Sequence, residues 1–303
     1  MSLALLFPGQ GAQHPQMLPW LDAQPAAQPA LKALARHLGP DWRDALNDPA
    51  WLHVNRVAQL LLTGVGIAAW QTLAAQLPRP VVVAGYSVGE LAAFTAAGVF
   101  DADTALALAA ERAQAMDESV AGLHTGLLAV QGPHALHLAE AWPAVAIAIR
   151  ISAERVIVGG AAADLDDCAA RWGAAGLRCT RLPVGLASHT RAMAPAVATF
   201  SRQLAALQLC TPHTAVACNF TGAASRSPAA LASALAGQIA STVRWDDCMD
   251  CIAERRVRCV LEIGPGSALA TMWRERHPDI PVRSIDEFQG PEGILSWALH
   301  QLS

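Results

Sequence analysis

The chain has 303 residues, of which 53% are hydrophobic and 15% charged, and a formal net charge of −4. So apolar a chain buries enough surface to offset its ordering entropy, which excludes disorder, and its mild acidity argues against a scaffold that must neutralise nucleic-acid phosphates. Seven scattered cysteines and no basic, apolar leader read as reduced thiols in a cytoplasmic protein.

Short β-rich runs alternate with longer helical stretches, the pattern of an α/β protein with a largely parallel sheet. Leu3–Phe7 reads as the first strand and Pro8-Gly9-Gln10-Gly11 as a turn that leaves backbone amides outward. Helices follow as far as Pro80. Among them the uncharged run from Val57 to Leu77 reads as a buried helix and not a membrane span, because Gln59, Thr63, Gln71 and two glycines interrupt it. Val81–Ala84 is a second buried strand, stopped at Gly85, and helices are expected over Val88–Ala97 and Ala102–Glu118.

From Leu123 the texture changes. Leu127–Val130, Val145–Ile149, Val156–Val158 and Arg178–Leu182 look like strands, with helices around His134–Ala141 and Ala162–Ala175. The order β-α-β-β-α-β is that of a small ferredoxin-like unit. Residues 123–187 are therefore expected to form an inserted subdomain, and 1–122 with 188–303 the large α/β subdomain. Beyond the insert, helices are expected at His189–Leu207, Ala229–Ala240 and Asp246–Arg255, and strands at Ala215–Cys218 and Val257–Ile263.

Gly85-Tyr86-Ser87-Val88-Gly89 stands between a buried strand and a helix, the setting of a nucleophile elbow. Flanking glycines permit a tight turn that pushes the serine hydroxyl out, and the helix N-terminus adds positive dipole where an oxyanion would form. A serine nucleophile needs a base. His189, after Gly185-Leu186-Ala187-Ser188, is a candidate, although a capping histidine explains the same spacing. The pair His134 and His137 reads as a solvated helix face, and Cys248 with Cys251 as neighbours on a helix with no second pair of metal ligands. Gly264-Pro265-Gly266 fits either an anion-binding turn or a plain strand-to-helix connection.

Taken together, Phe7-Pro8-Gly9-Gln10-Gly11-Ala12-Gln13, Gly85-Tyr86-Ser87-Val88-Gly89-Glu90, Arg112 with Met116, Ser188-His189 and Glu262-Ile263-Gly264-Pro265-Gly266 recur in a known order. The chain resembles the malonyl-CoA:acyl-carrier-protein transacylases over nearly its whole length. The resemblance implies an α/β-hydrolase-like subdomain with a ferredoxin-like insert, Ser87 as nucleophile and His189 as base. It further implies that the Gln238 carbonyl orients the imidazole, that the amides of Gln10 and Val88 form an oxyanion hole, and that Arg112 grips the malonyl carboxylate. Met116, Tyr86 and Ser188 would line the substrate pocket. No prosthetic group or metal is implied; the substrates would be malonyl-CoA and an acyl carrier protein bearing a phosphopantetheine-type arm, with neither nucleic acid nor membrane as partner.

Three departures from the family pattern stand out. Most members carry histidine where Tyr86 stands, Val184-Gly185-Leu186-Ala187-Ser188 replaces the usual proline- or phenylalanine-containing segment before His189, and Ile151-Ser152-Ala153 replaces the asparagine-serine-proline stretch of the small subdomain. The chain looks most like the transacylase subunit of bacterial malonate decarboxylase, so other subunits of that enzyme are expected partners. Malonyl loading for fatty-acid or polyketide synthesis is the alternative, and a serine esterase or thioesterase a further one. An esterase would want a third acid, for which Asp164, Asp166 and Asp167 have the right chain order. An acidic carrier calls for a basic patch, and Arg255, Arg256 and Arg258, or Arg274 and Arg276, are the clustered candidates.

Overall fold

A computed structural model describes residues 2–303. Eleven strands occur in the order β1 (Leu3–Phe7), β2 (Val82–Gly85), β3 (Thr125–Gln131), β4 (Ala146–Ser152), β5 (Arg155–Ala161), β6 (Arg178–Arg181), β7 (Ala215–Ala217), β8 (Ala224–Ser225), β9 (Val243–Arg244), β10 (Cys259–Glu262) and β11 (Val282–Ser284). They form two sheets. The larger has the order β11-β10-β1-β2-β7-β8 and is parallel except for the terminal β7–β8 pair.

Every residue of β1, β2 and β10 is buried, as expected for strands covered by helices on both faces. Because these strands run in parallel, their carboxyl ends at Phe7, Gly85, Ala217 and Glu262 share one edge of the sheet. In open α/β sheets that edge is where ligands bind. The apolar run after Val57 lies in the helix Asn55–Leu73, buried along nearly its whole length against the helices Gln28–Leu38 and Ala102–Ser119. No helix among the described residues is long and apolar enough to cross a membrane.

The smaller sheet has the order β6-β3-β5-β4-β9. Its first four strands are antiparallel and enclose the helices Ala135–Glu140 and Ala162–Ala174 in chain order, which is the ferredoxin-like arrangement. Alternation divides its side chains between two cores. Leu128, Val130, Val156 and Val158 pack under those helices with Leu165, Cys168 and Trp172, whereas Leu127, Ile149 and Ile157 face Tyr86, Trp245, Met272 and Trp273 of the large part. The molecule is thus a mixed α/β fold whose two sheets share an apolar seam.

The fifth strand, β9, comes from the large part of the chain and pairs in parallel with β4. Beside it Thr242 Oγ1 donates to the Ile147 carbonyl at 2.7 Å, and Arg150 reaches Asp246 at 2.6 Å and Asp247 at 2.5 Å. No periodicity announces a two-residue strand. It exists because β4 offers an open edge.

Glu262 ends β10 with its carboxylate turned inward, accepting from the amides of Leu269 at 3.2 Å and Ala270 at 2.7 Å at the start of the helix Ala268–Arg276. Those amides are orphan donors of a helix N-terminus, and an acid there also meets the helix dipole favourably. Burial raises the Glu262 carboxyl to about 8. Glu262→Ala is expected to cost about 1–3 kcal/mol by leaving both buried donors unpaired, read as a lower midpoint in urea with an unchanged slope. An unaltered midpoint would mean the cap carries no stability.

Candidate active site

The elbow forms because β2 runs directly into the helix Gly89–Ala97 with almost no room at the turn. A Cβ on Gly85 would lie 2.0 Å from the Glu90 nitrogen, and one on Gly89 would lie 2.2 Å from the Phe7 carbonyl oxygen. Only glycine fits either place. Between them Ser87 takes φ +56°, the left-handed region, at a cost of about 1–3 kcal/mol that the surroundings must offset.

His189 stands opposite. Its Nε2 lies 2.7 Å from Ser87 Oγ, and its Nδ1 lies 2.6 Å from the Gln238 carbonyl. A carbonyl can only accept, so Nδ1 carries the proton and Nε2 is left to accept from the serine. The His189 amide donates to the Ile239 carbonyl at 2.9 Å, which fixes the backbone as well as the ring. Burial, followed by the Arg112 cation, holds His189 down to about 3, although the Gln238 hydrogen bond opposes the drop. The imidazole is therefore neutral at pH 7, with Nε2 free to accept from Ser87.

The expected helix from His189 is corrected by the structure. His189 has φ +62° and Thr190 is extended, so a 3-10 turn begins only at Arg191 and the α-helix at Ala194. The strained histidine, not a helix register, sets where the imidazole points.

Arg112 is fully buried on the helix Ala102–Ser119. Its Nη1 donates to Gln59 Oε1 at 2.7 Å, and its Nη2 lies 3.4 Å from both Ser87 Oγ and Gln238 Oε1. Nε has no partner, and among the described residues no carboxylate comes within ion-pair distance of the guanidinium. Burial lowers Arg112 to about 10, with Glu90 acting the other way. The guanidinium is thus a desolvated cation held by two side-chain amide oxygens and the Ser87 hydroxyl, all of them neutral.

The remaining expected residues fall in two groups. Met116 is buried beside Arg112, with its sulfur 3.6 Å from Gln59 Nε2, and Ser188 is buried next to His189. The amides of Gln10 and Val88 have no acceptor among the described residues; Val88 follows Ser87 directly, and Gln10 follows Gly9, where an added Cβ would lie 2.4 Å from the Tyr86 carbonyl oxygen. Tyr86 lies apart. Its ring meets Trp245 edge-on at 5.2 Å in the seam between the sheets, with its hydroxyl unpartnered.

Residues 4–283 match the acyl transferase domain family. The chain belongs to that family. A malonyl CoA-acyl carrier protein transacylase of Mycobacterium tuberculosis is 32% identical over 290 residues, covering 93% of this chain and 96% of the relative. The crystal structure of an acyl-carrier-protein S-malonyltransferase from Burkholderia pseudomallei superposes with a TM-score of 0.89 at 28% identity, covering 98% of this chain and all of that one. A malonyl-transacylase in complex with a holo type II polyketide synthase acyl-carrier protein matches at TM-score 0.91 and 25% identity, covering 99% of each chain.

Four residues around the acyltransferase site, Gln59, Asn55, Asn219 and Glu90, were not singled out in the sequence for a role there. Gln59 holds Arg112 and is itself held by Asn55, whose Oδ1 lies 2.9 Å from Gln59 Nε2 and 3.0 Å from Gln10 Nε2. Asn219 and Glu90 lie behind the elbow. A polar residue inside an apolar helical run was the available signal for Gln59; nothing in the local pattern marked Asn219.

The basic clusters are not at the site. The Arg258 amide donates to the Ser2 carbonyl, so Arg255, Arg256 and Arg258 sit at the amino end of the parallel sheet, opposite Ser87. Arg276 is paired with Asp250 at 2.5 Å, and Arg274 is on the same closing turn of its helix. Asp166 and Asp167 pair with Arg181 and Arg171 in the small subdomain. His189 Nδ1 meets a carbonyl and not an acid.

Proposed function

We propose that the chain transfers a malonyl group from malonyl-CoA to the thiol of a carrier protein's phosphopantetheine-type arm through an acyl-Ser87 intermediate. The observation that carries this reading is Arg112, buried 3.4 Å from Ser87 Oγ with no acidic partner among the described residues. One methylene separates the thioester carbon of malonyl from its carboxylate, so an anion receptor for it must stand beside the nucleophile. A planar guanidinium suits a bidentate hold on that carboxylate.

The steps follow from the dyad. Ser87 passes its proton to His189 Nε2 as Oγ bonds to the thioester carbon, and the Gln10 and Val88 amides receive the oxyanion. The carbon–sulfur bond then breaks, and CoA leaves as the thiol with the proton from His189. In the second half a carrier thiol gives its proton to His189 while its sulfur attacks the acyl-serine, and Ser87 recovers the proton as the Oγ–carbon bond breaks. The Gln238 carbonyl keeps the imidazole in the tautomer both halves require.

For the acceptor, the carrier of a bacterial malonate decarboxylase is the one we assign, on the Gly85-Tyr86-Ser87-Val88-Gly89 variant of the elbow. The named relatives support the broader reading, a carrier of fatty-acid or polyketide synthesis. Intact-protein mass spectrometry tests both levels. Malonyl-CoA should leave a malonyl adduct on the protein that is absent from Ser87→Ala and scarce with acetyl-CoA. Each purified carrier in its thiol form should then discharge the adduct at its own rate, the decarboxylase carrier fastest. Release of free malonate with no stable adduct would instead make the protein a hydrolase.

A further inference from the structure

We infer that Asn219 and Glu90 are a positioning pair that holds Ser87 in its reactive left-handed conformation. Asn219 follows β7 and is fully buried. Its Oδ1 accepts from the Ser87 amide at 2.8 Å and its Nδ2 donates to the Gly85 carbonyl at 2.7 Å. One side chain thus straps both sides of Tyr86 across the tightest part of the turn. Exchanging the oxygen and nitrogen would set an NH2 against the Ser87 amide and an oxygen against the Gly85 carbonyl, so the orientation is dictated by its partners.

Asn219 is held in turn. Its amide donates to Glu90 Oε1 at 2.7 Å, and its carbonyl accepts from the Arg244 amide at 2.9 Å. Glu90 lies in the first turn of the helix after the elbow and is also fully buried. The clamp therefore closes a loop through strand end, neighbouring strand and helix start. Glu90 Oε2 has no partner, and burial raises the carboxyl to about 8, so the network needs the acceptor oxygen of Glu90 and not its charge.

The consequence for the reaction is specific. The Ser87 amide is occupied by Asn219, while the next amide, Val88, has no acceptor. The φ of Ser87 sets both the direction of Oγ toward His189 and the direction of the Val88 amide. Arg112 lies on a different helix and bonds to neither Asn219 nor Glu90. Relaxing the clamp should therefore slow acylation without weakening the hold on the malonyl carboxylate, since misplacement of about 1 Å at a reacting centre costs on the order of 100-fold.

This inference rests on Ser87 being the nucleophile, and the experiment separates the two. Acyl-enzyme formation from malonyl-CoA and labelling of Ser87 by a fluorophosphonate are timed in the full-length wild type, Asn219→Ala, Asn219→Asp, Glu90→Leu and Glu90→Gln, with thermal midpoints recorded for each. Asn219→Ala is expected to lower the maximal acylation rate about 100-fold with half-saturation by malonyl-CoA within threefold, and to slow fluorophosphonate labelling in parallel. Glu90→Leu should follow in the same direction, and Glu90→Gln, which keeps an acceptor oxygen, should recover most of the rate. If Asn219→Ala does not fold, Asn219→Asp retains the size and the acceptor for the Ser87 amide while losing the donor to Gly85, and must show the same rate-only defect. Folded Asn219 variants that acylate within threefold of wild type, or whose defect is in saturation alone, overturn the inference. A wild type that neither acylates nor labels overturns the reading of Ser87, and this inference with it.

Discussion

Arg112→Ala is expected to lower kcat/KM for malonyl-CoA by roughly 10²–10³-fold or more while changing that for acetyl-CoA by less than about tenfold. The magnitude follows from removing one partner of a buried, charge-assisted pair, about 3–5 kcal/mol at 1.4 kcal/mol per decade. The asymmetry follows from the geometry. Nothing in the acetyl group can use the guanidinium, and for it the buried cation is a polar wall 3.4 Å from Ser87 Oγ. The same argument gives the effect on stability an unusual sign. Among the described residues Arg112 has no carboxylate within ion-pair distance and an unpartnered Nε, so its desolvation is poorly compensated. Arg112→Leu should therefore fold with an unchanged or higher thermal midpoint. Acylation rates with the two thioesters, measured beside that midpoint, decide it. An equal loss with both donors would remove the carboxylate role, and a collapse in stability would make Arg112 a structural residue.

Much of the site was legible because it lies where chain punctuation is strongest. A buried strand, two glycines around a serine and an immediate helix allow one backbone path, and the structure takes it at Gly85–Gly89. The parallel sheet followed from short β-rich runs alternating with longer helical stretches, and the ferredoxin-like unit from the β-α-β-β-α-β order after Leu123. What stayed hidden depends on contacts distant in sequence. β9 is a strand only because β4 lies beside it. Asn219 is a single polar residue after a three-residue strand, and its partners at the elbow, Gly85, Ser87 and Glu90, are more than a hundred positions away. The helix Pro291–Leu302 was overlooked although it carries a signal, proline in its first turn and apolar residues at Ile294, Leu295, Ala298 and Leu302. Gln59 was read only as an interruption of apolar sequence, yet a buried amide that must be satisfied is itself a pointer to a buried polar site.

His189→Ala should reduce acyl-enzyme formation by about 10³-fold or more, since it removes both the general base and the acid that protonates the leaving thiolate. The pH dependence offers a sharper check. Burial and the Arg112 cation hold His189 down to about 3 in the free protein. Its kcat/KM for malonyl-CoA should then lack the acid limb near 6.5 that an exposed histidine base would give. A malonyl carboxylate on Arg112 neutralises the second of those causes, so the acid limb of the maximal rate should lie at higher pH than that of kcat/KM. Stability carries the same signature. Between about 3 and 6.5 the unfolded chain binds a proton at His189 that the folded protein does not, so this contribution is full above 6.5 and lost as pH falls toward 3. Glu90 and Glu262 act oppositely. Raised to about 8, each favours folding below 4.5 and loses that contribution as pH rises from 4.5 toward 8. Thermal midpoints measured across pH should therefore lose much of their acid slope in His189→Gln and keep their alkaline slope. An acid slope identical to that of the wild type would mean His189 titrates at its ordinary value, which would place the imidazole in water and break the geometry on which the dyad depends.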